Sequence, residues 1–64
     1  MNQEINIGDV VTTKFNTVGV VIGLATIIGQ YYIVQYFGRS IWSALLTMEE
    51  MRAHIEQGTW TRIR

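Results

Sequence analysis

Between Lys14 and Arg39 the chain carries no charged residue at all. A run of this length, FNTVGVVIGLATIIGQYYIVQYFG, suits a membrane-spanning helix, which takes about 20 mainly apolar residues. Gly19 and Gly23 even supply the four-residue spacing at which two such helices touch. The order of side chains points elsewhere. Positions 18, 20, 22 and 24 are Val, Val, Ile and Leu, whereas 19, 21, 23 and 25 are Gly, Val, Gly and Ala. Large and small alternate with period two, the repeat of a strand. Asn16, Thr17, Thr26, Gln30 and Gln35 interrupt the run, and a hydrocarbon interior penalises the amides. We therefore read the stretch as two adjacent buried strands, with a single-pass membrane span over about 15–38 as the reading it displaces.

Sixty-four residues make one small domain, 1–64, in which 1–7 is a leader. That is near the lower limit at which a core holds without staples. No cysteine is present and His54 is the single histidine, which removes disulfides, thiolate metal sites and histidine-rich zinc sites. With 48% hydrophobic and 16% charged residues, the chain is too apolar to stay disordered. Five acids balance five bases, so no net field draws it to a nucleic acid. MNQEINIGD is not a secretory signal, and a cytoplasmic location is the expectation.

Gly8-Asp9 opens the first strand, DVVTTKF, with Val11, Thr13 and Phe15 on one side. Asn16-Thr17 is a turn, because asparagine tolerates left-handed backbone. A second strand covers 18 to 24, with Gly19 and Gly23 on one face where the sheet bends. Residues 25 to 30 connect to a third strand, YYIVQYF, at 31 to 37. Gly38-Arg39 returns the chain into a fourth, 40 to 45. Thr47-x-x-Glu50 is a capping box, so a helix starts there and runs over about 48–57. Met48, Met51 and Ile55 form its apolar stripe, and Gly58 ends it. Residues 59 to 63 alternate again as a last strand. The fold class is mainly β: a small SH3-like barrel of about five strands with one short helix before the last.

Gly8-Asp9-Val10-Val11, then Val18-Gly19-Val20-Val21-Ile22-Gly23, resembles the KOW-type and Tudor-like small barrels. Tyr32-Ile33-Val34 and Gly38 are similar to their third strand and its turn. The likeness covers about residues 8 to 46 through short motifs. It implies a module that binds RNA, DNA or protein tails through loops and one strand face. The lysines and arginines of the nucleic-acid binders are missing from these positions.

No catalytic, cofactor or metal site is expected. Ser40 and Ser43 lie on a strand and His54 on the helix, so no nucleophile and base are placed together. Glu50 and His54, four apart, suit a surface hydrogen bond. Glu49 and Glu50 complement the helix dipole. The layout of Gly8 to Val11 and Gly38 to Met51 is also similar to the plasmid-type dihydrofolate reductases. Where those carry Gln-Ile-Tyr on the strand lining the active pore, this chain has Ile41-Trp42-Ser43, which lacks the substrate-touching residues. The chain is read as a non-enzyme.

Seven aromatics exceed what so small a domain hides, since at this length only about 60% of the unfolded surface is buried. Tyr31, Tyr32, Tyr36, Trp42 and Trp60, with Arg39, Arg62 and Arg64, are the expected partner-binding residues, being the types that dominate interfaces. The expected partner is a protein, a second copy of the chain included. The setting expected of such a module is that of a phage or mobile-element accessory regulator or inhibitor. A KOW-like nucleic-acid binder, with Lys14 joining the three arginines on phosphates, is the alternative.

Overall fold

The computed structural model of the chain describes residues 5–26 and 29–64. Five antiparallel strands form one sheet: β1 (Val10–Thr13), β2 (Val18–Ala25), β3 (Tyr31–Phe37), β4 (Ile41–Leu46) and β5 (Trp60–Arg62). A single helix, α1 (Met48–Glu56), precedes β5. The strand order is β4-β3-β2-β1-β5, so four consecutive neighbours are followed by a return of the chain end to β1. The sheet is mainly β as read from the sequence, but it is not closed. Its hydrogen-bonded ladder ends at β4 on one side and β5 on the other, and α1 packs against both.

The uncharged stretch builds β2 and β3, paired from Val18↔Phe37 to Ala25↔Tyr31. No helix among the described residues is long and apolar enough to cross a membrane. The expected connection at 25 to 30 includes 27 and 28, which lie outside the described residues.

Register sorts the side chains. Val11, Gly19, Tyr36 and Trp42 align across four strands, and Val21, Val34 and Ala44 form the next inner row. Val11, Val21, Val34, Met51 of α1 and Trp60 of β5 are buried in one cluster. Each fully buried side chain of this kind stabilises by about 1.5–3 kcal/mol.

Three expectations need correction. The two strands are half-buried, not buried: only one face of each reaches the core, and Val18, Ile22, Leu24, Tyr31 and Phe37 stay exposed. Gly19 and Gly23 do not share a face. A register shift between Val21 and Gly23 adds one residue to β2, which changes its phase, and Gly23 then pairs with Ile33 on the outer face. Within the expected leader, Ile5 belongs to the core, an apolar side chain in a polar segment that the inner face takes up.

The helix forms as its cap predicts. The Glu50 amide donates to Thr47 Oγ1 at 3.1 Å, and the Thr47 amide donates to Glu50 Oε1 at 2.8 Å. Met51 is buried and Met48 and Ile55 pack beside it. Gly58 takes φ 77° just past the end, the left-handed conformation that costs glycine least.

Candidate functional site: an aromatic cleft

Two turns and a stack of rings meet at one end of the sheet. The β1–β2 turn is organised by Thr13, whose hydroxyl accepts from the Phe15 amide at 3.1 Å and is hydrogen-bonded to the Thr17 hydroxyl. Asn16 takes φ 61°, the left-handed state asparagine tolerates. The result is a tight loop that leaves Phe15 72% exposed. Lys14 Nζ sits 5.5 Å from the centre of that ring, within cation–π range.

The β3–β4 turn lies directly against this loop. A Cβ at Gly38 would fall 2.6 Å from Thr17 Cγ2, so a residue without one is needed for the two turns to touch. Arg39 and Ser40 follow, both exposed. Between the turns lies a cleft of about 440 Å³, with Phe15, Thr17, Arg39 and Trp42 in its lining.

Trp42 belongs to a stack of rings that runs on from it. Tyr36 and Trp42 are directly opposed on β3 and β4 and stack with centroids 4.3 Å apart at 25°. Trp60 meets Tyr36 edge-on at 6.3 Å, and His54 of α1 stacks on Trp60 at 4.9 Å and 18°. Gly19 makes this possible: a Cβ there would approach Tyr36 Cε1 to 3.3 Å and Val11 Cγ2 to 3.2 Å. A second hollow of about 150 Å³ continues the cleft along these rings, sharing Phe15, Thr17 and Trp42 with the first. No carboxylate lines either one.

Comparison with family models, curated proteins and solved structures finds no match to this chain.

Burial pushes the Tyr36 phenol above its ordinary value of 10.0, and a favourable contact from the Trp60 side chain offsets part of that rise. Tyr36 is thus a neutral hydroxyl on an apolar floor at physiological pH. His54 does not make the surface bond to Glu50 suggested by their spacing. The Glu50 carboxylate is taken by the helix cap, and His54 Nδ1 is buried with no hydrogen-bond partner among the described residues. The ring serves as a plate against Trp60.

Of the residues expected to meet a partner, Tyr36, Arg39, Trp42 and Trp60 come together here. Trp42 is 51% exposed, while Tyr36 and Trp60 are almost fully buried and support it. Tyr31 and Tyr32 sit at the other end of β3; Tyr31 faces outward and Tyr32 packs on the core. Arg62 pairs with Asp9 at 2.6 Å, and Arg64 joins β1 through its backbone, whose carbonyl accepts from the Val10 amide. Sequence reading missed Phe15 and His54. The Thr-x-Phe-Asn turn was a signal for the first; nothing local marked the second, since its stacking partner comes from the strand after the helix.

Proposed function

We propose that the chain is a non-enzymatic binding module of SH3-like layout that holds an extended segment of another protein in the aromatic cleft. The observation that carries this reading is Trp42, half exposed yet fixed from beneath by the Tyr36 ring. A rigid aromatic already ordered in the free protein loses little entropy on binding, and such residues dominate interface energies. Phe15 adds a second exposed ring across the cleft, and Arg39 a cation at its rim. An apolar or proline-bearing segment stacked on Trp42, with an acidic residue near Arg39, fits this lining.

The same floor suits bases of a single-stranded nucleic acid, which stack on aromatic side chains. Charge favours a protein instead. Arg62 is paired with Asp9, and the formal net charge is zero, so phosphates find a weak field.

Selection from a displayed random peptide library tests the reading. Peptides enriched on the wild type are expected to lose at least ~30-fold in affinity for Trp42→Ala, the loss typical of a hot spot. Phe15→Ala should weaken them less, and Tyr31→Ala, at the other end of β3, not at all. Peptides that bind Trp42→Ala as well as wild type would place recognition elsewhere. Binding only to oligonucleotides, fading steeply with salt, would make the ligand a nucleic acid.

A further inference from the structure

The two edges of the sheet are built in contrasting ways. At one edge β5 has three residues, and Arg62 bridges to Asp9. Short length and charge are how edge strands are kept from pairing with other chains. At the other edge β4 runs for six residues, IWSALL, with no charge and no proline. Its register with β3 is regular from Tyr32↔Leu46 to Phe37↔Ile41, with no bulge. Among the described residues no strand pairs with its free side. Ile41 is 65% exposed and Leu45 57%. An unbulged, uncharged, apolar edge of this kind is a template for a further strand.

The sequence of β4 also says which strand fits. We propose that β4 recognises β4 of a second copy, antiparallel about a two-fold axis at Ser43, giving one continuous ten-stranded sheet. In that register the outer face pairs Ile41 with the partner's Leu45, Ser43 with the partner's Ser43, and Leu45 with the partner's Ile41. On the inner face Trp42 lies opposite the partner's Ala44, a large side chain against a small one, and the symmetry repeats the match. Moving the axis to Ala44 instead opposes Ser43 to Leu45 and Trp42 to Leu46, which loses both complementarities. No charge stands on the outer face of β4, so like charges do not meet across the axis. Beside it Val18, Phe37 and Ile41 line up across three strands and remain exposed, and pairing joins the two apolar patches into one band. The interface is isologous and closes at two copies. The charged, three-residue β5 edge disfavours head-to-tail pairing into fibres. This surface shares Trp42 with the cleft, but the pairing of β4 does not rest on the reading of the cleft.

Ser43 is exposed and outward, so substitutions there leave the fold intact, which circular dichroism of each variant checks. Sedimentation of the wild type from micromolar to millimolar concentration should show a monomer–dimer equilibrium. Ser43→Lys and Ser43→Glu should each weaken it by more than about tenfold by setting like charges against each other. An equimolar mixture of the two should restore a dimer, one copy of each in native mass spectrometry. With no natural cysteine in the chain, Ser43→Cys should cross-link to itself on oxidation, while Thr61→Cys in β5 stays monomeric. Phe15→Ala should dimerise as wild type does, which separates dimerisation from the Phe15 side of the cleft. A wild type monomeric throughout, or lysine and glutamate variants that each dimerise as wild type does, would overturn the proposal.

Discussion

On the inner face of the sheet Val11, Val21 and Val34 are wholly buried, whereas on the outer face Val18, Phe37 and Ile41, aligned across three strands, stay exposed. The residue types are alike, so hydropathy does not separate the faces. Cover does. Among the described residues there is one helix, and α1, Ile5 and Trp60 are all used on the inner side, where Met51 is buried among the valines. A sheet in a larger domain has a second layer to spend on its other face; here that face is left for a partner or for water.

The sharpest way to break this contrast is to truncate one apolar side chain on each face. Met51→Ala should lower unfolding free energy by about 2–5 kcal/mol, the cost of a buried cavity. Leu45→Ala should change it by no more than about 0.5 kcal/mol at dilutions where copies are apart. Urea denaturation followed by tryptophan fluorescence reads both. Equal losses would mean that the outer face is covered after all.

The two glycines of β2 differ between the faces in the same way. Gly19 faces in, where a Cβ would press Val11 and Tyr36 at 3.2 and 3.3 Å; at Gly23 the nearest atom is Ile33 Cδ1 at an ordinary 3.8 Å. Gly19→Val should therefore cost about 1–3 kcal/mol through overpacking. Gly23→Val should be tolerated within about 0.5 kcal/mol, and thermal melts of the two variants decide. A comparable loss from both would remove the bulge as the reason for their different faces.

These glycines also show where reading the sequence stops. Local signals were legible: the Thr47–Glu50 box became the helix start, Asn16 became the left-handed turn residue, and the order of five strands and a late helix is as expected. Period two cannot reveal an extra residue, so the bulge after Val21 reversed the assignment of Gly23. Absence of charge over 15 to 38 signalled apolar surroundings but could not say that only half of those side chains reach the core. At the site, Tyr36, Arg39, Trp42 and Trp60 were legible as residue types. Their meeting with Phe15 and His54 depends on the Gly38 turn packing against Thr17, a contact between segments that no local pattern encodes.

Tyr36 offers the smallest effect and the most specific probe of the inner face. Its phenol lies on the buried side, and its pKa is raised above 10.0 chiefly by that burial. The folded state thus holds this proton more tightly than the unfolded chain does. Between the unfolded and folded values the unfolded state binds fewer protons, so stability falls as pH rises. Its contribution is complete below about pH 10, the unfolded value, and is lost as pH climbs through the raised folded one. The useful quantity is the difference between wild type and Tyr36→Phe, which isolates this one hydroxyl. That difference should be flat up to about pH 9 and should move above about pH 10 in the direction that favours the variant. Urea midpoints at matched pH measure it. A difference that stays constant through the alkaline range would mean that the hydroxyl is hydrated when folded, and that the cleft floor is wetter than the ring stack implies.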